Sequence, residues 1–402
     1  MKITVIGQGY VGLPIAIHAA KAGYKVVGFD LNSQLVSNLK LGKSHIEDIS
    51  DIELSAIVKS GSYFPTDNAA NIVGSEIAVI AVPTPLTENR EPDLSFIESA
   101  CDILASSLTS SSLIINESTS YPGTLRNLIA KRIDSKSSFS HRFSISPERV
   151  DPGNKDWGIE NTPRLYAGLT REAAVETRAF YANFCKNLIE VSSPEVAEAA
   201  KLFENSFRQV NIALVNELAL ISNTLGISVR EVLEAADSKP YGFLKFNPGL
   251  GVGGHCIPVD PTYLAYAARN SGTPAEFIEL ANKVNLEMPN KIIQRIKEEN
   301  GGSLIGKKVL VCGLSYKKDI ADIRESPSIR LIESLAQEGA NISWHDPVVK
   351  EWKKNFSSEP TINAYDITIL AMGHSKMDFP KISKSAPYIF DCTGLINLAH
   401  QL

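Results

Sequence analysis

A cysteine able to act as a covalent nucleophile stands at position 256, within Gly251-Val-Gly-Gly-His-Cys-Ile-Pro-Val-Asp-Pro261. Glycines on its flank leave it open and let backbone N–H groups point inward, where a thiolate or a developing oxyanion would be stabilised. A chance loop cysteine is the plainer alternative. Asp260, four residues on, can hold a water or take a proton through it, and Glu148 in Ser146-Pro-Glu-Arg149 is a second candidate base. Lys201 and Asn205 are four apart on a helical pattern, hence on one face. Their neighbours Ala199, Ala200, Leu202 and Phe203 are apolar, so the ammonium and the amide are expected to be partly desolvated and aimed at a ligand oxygen. A solvated face with Glu198 and Glu204 as ion-pair partners stays open beside that reading. The other cysteines, Cys101, Cys185, Cys312 and Cys392, lie in apolar patterns and read as buried thiols.

Gly7-Gln-Gly9-Tyr10-Val11-Gly12 follows an apolar run and precedes an alanine-rich helical stretch. Glycines there permit a tight turn, close approach to a pyrophosphate and close helix packing, while helix-start N–H groups face the phosphates. Asp30 closes the next strand, where a carboxylate can accept from ribose hydroxyls and would repel a 2'-phosphate, which points to NAD rather than NADP. Thr84 and Thr119 follow two further strands of the same sheet and are placed to touch the cofactor; turn chemistry from Pro and Thr is the bland alternative. With a hydride acceptor present, Cys256 fits thiohemiacetal and thioester chemistry, because a thiol adds to an aldehyde and the adduct can lose hydride.

These residues need elements to position them. Lys2 to Gly7, Lys25 to Asp30, Ile77 to Val82, Ser112 to Asn116 and Phe143 to Ile145 read as buried strands with helical patterns between, which predicts a parallel, doubly wound sheet. One long helix runs from Pro194 to about Gly226, apolar around much of its circumference, which implies burial and a homodimer seam. A shorter helix follows from Ser228 to Ala236. The Gly- and Pro-dense loop Ser238 to Pro261 is too long for a plain connection and reads as functional. Another helical stretch runs to about Asn300. Lys307 to Gly313, Ser326-Pro327 and Asn341 to Asp346 then echo the first thirty residues without the full three-glycine turn. A second Rossmann-like domain is expected, fitted to a mononucleotide or sugar-nucleotide phosphate. The fold class is therefore α/β, with two Rossmann-like doubly wound parallel-sheet domains joined by a central all-helical domain, divided at 1–190, 191–300 and 301–402.

The bulk composition agrees. A chain of 402 residues holds two or three domains at roughly one per 100 to 200 residues. Its 44% apolar and 21% charged residues are the balance of a soluble globular protein, and a net charge of -5 argues against nucleic-acid or anionic-membrane surfaces. No signal peptide or membrane-length apolar run is read, and five scattered cysteines support neither a disulfide framework nor a zinc site. A reducing, cytoplasmic setting is expected.

The opening glycine motif, Val82-Pro-Thr-Pro85, Glu117-Ser-Thr119, Ser146 to Arg149, Lys201 to Asn205, Gly253 to Cys256 with Asp260, and Tyr316-Lys-Lys-Asp through Arg324 to Pro327 occur in one order. That ordered set, across essentially the whole chain, resembles the UDP-glucose/GDP-mannose dehydrogenase family. The resemblance implies an NAD-binding domain, a central helical dimer domain and a C-terminal domain that helps to bind a UDP-sugar. It implies a four-electron oxidation of a sugar C6 hydroxyl with Cys256 as nucleophile, yielding uronate precursors for surface polysaccharide. Lys201 and Asn205 would steady alkoxide and tetrahedral oxyanions, Thr119 and Asp260 would hold a catalytic water, and Glu148 would assist proton transfer and thioester hydrolysis. Glu148, Arg149, Lys201, Asn205, Phe243, Lys245, Lys317 and Arg324 would contact the nucleotide sugar. The stretch Arg149-Val-Asp-Pro-Gly-Asn154, Phe246 to Gly249 and His255 to Asp260 are similar to the branch acting on UDP-N-acetylhexosamines, with UDP-N-acetylglucosamine the first choice; the manno and galacto epimers and UDP-glucose stay open. Leu35 departs from a basic residue common in relatives near the adenosine ribose. A single-step β-hydroxyacid-type dehydrogenase would need neither Cys256 nor the second α/β domain, and a non-catalytic NAD-binding scaffold would turn over nothing.

Overall fold

The opening apolar run forms strand β1 (Lys2–Ile6), buried at four of its five positions and therefore covered on both faces. It lies within an eight-stranded sheet built from β1, β2 (Lys25–Phe29), β3 (Tyr63–Thr66), β4 (Ile77–Ile80), β5 (Leu113–Asn116), β6 (Arg142–Ile145), β7 (Arg164–Gly168) and β8 (Leu188–Glu190), in the order β3-β2-β1-β4-β5-β6-β7-β8. Pairing is parallel except between β6 and β7. The order of the first six strands is that of doubly wound dinucleotide-binding sheets, whose ligand crevice opens at the carboxyl ends of β1 and β4, where the winding reverses. Ile3 and Val5 pack with Leu13 and Ile17 of helix Gly12–Lys21, while Ile6, Ala78 and Ile80 pack with Ile97 and Leu104 of helix Ser95–Ser107.

This computed structural model describes residues 1–402 except 47, 152, 153, 155 and 397–399. Two units are distinguished: Met1–Glu204 with Tyr266–Thr273, and Asn205–Ala265 with Pro274–Leu402. The boundary falls inside the long helix Pro194–Leu225. In the second unit Val215 and Ala219 of that helix share one core with Met288, Ile292 and Ile296 of helix Glu276–Glu299 and with Val309, Val311, Leu331 and Leu335. The helical stretch expected from Pro261 to Asn300 is two helices, Asp260–Asn270 and Glu276–Glu299, interrupted where Gly272 takes φ +81.

The C-terminal sheet comprises β9 (Lys308–Cys312), β10 (Asn341–His345), β13 (Ile367–Leu370), β14 (Tyr388–Asp391) and β15 (His400–Gln401), all parallel, in the order β10-β9-β13-β14-β15. A short antiparallel pair, β11 (Glu351–Trp352) and β12 (Asn355–Phe356), stands apart from it. Ser326 caps helix Pro327–Gln337 by accepting from the Ser328 N–H, as its sequence position leads one to expect. The echo of the first domain is atomic as well as sequential. Gly7 (φ +88) donates to Phe29 O and Gly313 (φ +92) to His345 O, each at 2.8 Å. Asp30 Oδ2 accepts from Gln8 N at 2.8 Å, and Asp346 Oδ2 from Leu314 N at 2.7 Å. The copies part at the acid: Asp346 is buried and also accepts from the Val348 and Val349 N–H groups and His374, which leaves it no access to a ribose. Among the described residues no helix is long and apolar enough to cross a membrane.

Candidate active site

At the end of β1 the three motif glycines do different work. A Cβ on Gly7 would stand 2.3 Å from Ala81 O and one on Gly12 would stand 1.8 Å from Gly7 O, so both are demanded by the protein's own packing. A Cβ on Gly9 would meet nothing within 4 Å, so this is the position at which a ligand can approach the backbone. The N-cap residue Val11 offers no side-chain cap to helix Gly12–Lys21, and the N–H groups of its first turn are suited to a pyrophosphate. Asp30 is oriented by the Gln8 N–H on Oδ2 and the Asn32 N–H, 2.9 Å away, on Oδ1. Tyr10 and Val11 are half-buried at the turn, Thr84 is buried beyond β4, and Leu35 packs against the core. These residues fit a dinucleotide: a turn with room at Gly9, helix-start donors and a fixed ribose acceptor.

Thr119 sits half-buried in a loop whose neighbours are pinned. Ser118 Oγ accepts from Val82 N (2.8 Å) and donates to Val82 O (2.9 Å). Glu117 is buried against Arg164, whose Nη1 lies 2.7 Å from both carboxylate oxygens, and the Tyr181 hydroxyl donates to the same carboxylate. Arg164 Nη2 reaches on to Glu148 Oε2 at 2.6 Å, and Glu148 Oε1 accepts from the Arg149 and Val150 N–H groups at 2.6 and 2.8 Å. Burial raises the Glu117 carboxyl to about 7 despite Arg164. Burial also pushes Glu148 upward, but Arg164 and the backbone donors outweigh it and hold this carboxyl below its usual range. Glu148 is thus suited to orienting a water as an ionised acceptor more than to keeping a proton. Arg149 directs its guanidinium to Glu204 (2.6 Å) and to Pro163 O (2.8 Å). Pro152 and Gly153 of the Arg149 to Asn154 segment lie outside the described residues.

The long helix departs from the solvated-face reading. Glu198 is buried on the Ser120 to Leu125 loop, and Glu204 pairs with Arg149, while Lys201 is half-buried between them in sequence. Asn205 Nδ2 donates to Asp260 Oδ2 at 2.6 Å, so two of the expected residues do meet. The Val259 and Asp260 N–H groups both turn back to Cys256 O, at 3.1 and 2.8 Å, and this turn presents Cys256 at the start of helix Asp260–Asn270. Cys256 is exposed, whereas the other four cysteines are buried. Burial raises the Cys101 thiol to about 12 and Cys185 to about 11, and pushes Cys312 and Cys392 higher still, so none of those four forms a thiolate readily.

The glycines before Cys256, which is exposed as expected, also serve a packing purpose. A Cβ on Gly253 would lie 2.6 Å from Tyr316 Cβ and 2.9 Å from Pro327 Cδ, and one on Gly254 would lie 2.6 Å from Tyr316 Cε2. The Gly254 N–H donates to Arg324 O at 2.9 Å and is not an inward-facing oxyanion donor. Close packing of the Cys256 loop on the Tyr316 to Pro327 segment is what excludes side chains there. On that segment Lys317 O accepts from Ser315 Oγ (2.9 Å), and Arg324 is held by Asp322, with Nη2 to Oδ2 at 2.6 Å. Phe243 is exposed, and Lys245 Nζ lies 3.9 Å from Asp237 Oδ2. Sequence reasoning missed Arg164 and Tyr181, took Glu198 only as a partner on a solvated face, and named Tyr316 without its packing role; a charge within an alanine-rich stretch was the one available signal for Glu198.

Comparison with known proteins agrees in every part of the chain. The NAD-binding domain of the UDP-glucose/GDP-mannose dehydrogenase family matches residues 1–185, its central domain 195–287 and its UDP-binding domain 310–398. The chain belongs to the UDP-glucose/GDP-mannose dehydrogenase family. As in that family, its activity is NAD-dependent dehydrogenation of a nucleotide sugar. It is 32% identical to the UDP-N-acetyl-D-glucosamine 6-dehydrogenase of Pseudomonas aeruginosa, over 99% of this chain and 97% of the relative. It is 36% identical to a UDP-N-acetyl-D-mannosamine dehydrogenase of Campylobacter jejuni, over 85% of this chain and 84% of the relative. The solved UDP-D-ManNAc dehydrogenase of Pyrococcus horikoshii superposes with a TM-score of 0.90 at 32% identity, covering 99% of this chain and 96% of that one.

Proposed function

We propose that this dehydrogenase oxidises the C6 hydroxyl of UDP-N-acetylglucosamine to the carboxylate in two steps, with Cys256 holding the sugar between them. The observation that carries this reading is that Cys256 is exposed while the other four thiols are buried, and that it stands on the turn that presents Asp260 to Asn205. NAD, when bound, accepts the hydride of each oxidation. Cys256 Sγ adds to the C6 aldehyde to give a thiohemiacetal, oxidation of that adduct leaves a thioester, and water cleaves it to the acid and the free thiol. Lys201 and Asn205 would stabilise the successive C6 oxyanions, Thr119 and Asp260 would hold the water, and Glu148 would accept from it. Lys317, Arg324, Phe243 and Lys245 would take the UDP moiety. Support for an acetamido sugar comes from relatives named for UDP-N-acetylglucosamine, UDP-N-acetylmannosamine and N-acetylgalactosaminuronate substrates. The manno epimer is the second reading, favoured by the 36% identity and the 0.90 superposition. A panel of UDP-sugars with NAD, read as NADH released and product mass, separates the readings. Two NADH per sugar with UDP-N-acetylglucosamine preferred is the expected result, and one NADH per sugar would end the covalent mechanism.

A further inference from the structure

We propose that Glu198 is a positioning residue that locks the Thr119 loop onto the helix that carries Lys201. The inference rests on the reading of Thr119 and Lys201 as reaction residues. Glu198 lies on the long helix three positions before Lys201 and seven before Asn205, and it is only 1% exposed. Its Oε2 accepts from Gly123 N at 2.6 Å, and its Oε1 from Leu125 N at 3.0 Å and Ser120 Oγ at 3.1 Å. All three donors follow Thr119 within six residues, and two are main-chain groups at the start of helical segment Leu125–Ala130, where N–H groups lack helical acceptors. On the other side of Thr119, Ser118 is fixed to Val82 on the segment beyond β4. Asn116 Nδ2 bridges the two sides from within, to Ser118 O at 3.0 Å and Ser120 Oγ at 3.3 Å. Thr119 is therefore gripped on its leading side by the sheet and on its trailing side by the helix.

The choice of a carboxylate at this position asks for a reason. Among the described residues Glu198 makes no direct ion pair, since Arg126, which feels its charge, is engaged by Glu195, and a buried carboxylate satisfied mainly by neutral donors is costly to keep. Glutamine has the same length, yet it would present an NH2 group to one of the N–H donors. Only an acceptor at both oxygens closes the loop onto the helix in this geometry. A hydrogen-bonded anchor of this kind holds a reacting group within the fraction of an ångström that catalysis requires.

Glu198→Gln, Glu198→Asp and Ser120→Ala, with Lys201→Ala and Thr119→Ala as controls, test the assignment by steady-state kinetics with UDP-N-acetylglucosamine and NAD and by NAD titration. For Glu198→Gln, kcat is expected to fall about tenfold or more while the NAD Kd stays within about twofold, because the glycine turn and Asp30 are untouched. Glu198→Asp keeps the charge and is expected to recover part of kcat, and Ser120→Ala, which removes one donor, to lose about threefold. A merely structural glutamate would lower the melting temperature without that split. If Glu198→Gln and Ser120→Ala keep kcat within about twofold while Lys201→Ala and Thr119→Ala lose it, the anchor is overturned and the site stands. If Lys201→Ala and Thr119→Ala also retain kcat, the site reading fails first and the anchor with it. Should Glu198→Gln not fold, Ser120→Ala and Glu198→Asp decide the question alone.

Discussion

The reactivity argued for Cys256 is a matter of its setting, since the chain holds four other thiols whose burial disfavours the charged form. In Cys256→Ala the first oxidation needs no thiol but the thioester route is closed, so acid formation is expected to collapse by about a thousandfold or more. Cys256→Ser can form a hemiacetal and an oxygen ester whose poorer leaving group slows hydrolysis, so intact-protein mass spectrometry should show a uronyl-nucleotide adduct on the Ser variant and none on the Ala variant. Near-native acid production by Cys256→Ala with two NADH per sugar would remove Cys256 from the mechanism. Glu198 carries a second residue-scale expectation. Burial raises its carboxyl to about 7, against the pull of the Leu125 and Gly123 N–H groups and Ser120. A carboxyl raised in the folded state binds more protons there than in the unfolded chain, so its contribution is fully present below the ordinary value and is lost as pH rises through about 7. Melting temperature measured from pH 5 to pH 8 should therefore decline less steeply in Glu198→Gln than in the parent enzyme; equal slopes would show that Glu198 does not titrate in this window.

At the scale of elements, legibility followed chemistry that is local in the chain. Strands β1, β2, β4 and β5 are mostly apolar and β6 alternates polar with apolar residues, while the helix Pro194–Leu225 has no interior Gly or Pro to interrupt it. Strand β3 carries Pro65 and is tolerated because it lies at the sheet's edge, pairing only with β2. Strand β7 opens with Arg164, a residue that reads as exposed until Glu117 and Glu148 are seen to bury it. The same limit held at the site. Gly7, Gly12 and Asp30 were legible because they fall in one strand, glycine turn, helix and strand unit of about 30 residues, whereas Glu198 acts on a loop about 75 residues away. The Gly253-Gly254 pair was noticed but its packing on Tyr316 was not, since that partner is distant in sequence. That packing makes a prediction of its own. Gly254 takes φ +84, and a methyl group there would press on the Tyr316 ring, so Gly254→Ala combines backbone strain of about 1 to 3 kcal/mol with a displaced Cys256 loop. Its kcat is expected to fall at least tenfold, with a lower melting temperature. Tyr316→Ala in the same chain should restore part of the melting temperature by removing the clash, and no recovery would place the whole cost in the backbone.

At the scale of the whole molecule, the long helix poses a problem that one chain leaves unsolved. Phe207, Leu214 and Ile221 are spaced by sevens and exposed, with Phe203 and Leu225 continuing the stripe at either end. Seven residues turn an α-helix through nearly two full turns, so these side chains share one side. We propose that this exposed apolar row is an association surface. A second copy of the chain supplies an identical stripe, and an isologous pairing along it would cover both at once. Burial of each such side chain is worth roughly 1.5 to 3 kcal/mol before the cost of association is subtracted, which is ample for a dimer at micromolar concentration. Sedimentation velocity is expected to give twice the chain mass for the parent enzyme. In Leu214→Asp a carboxylate would have to be desolvated in the seam, and the dimer should weaken by about a hundredfold or more. Leu214→Met keeps the apolar volume and should leave the dimer intact. A parent enzyme that sediments as a monomer, or a Leu214→Asp variant that dimerises as tightly as the parent, would show that this stripe is not the seam.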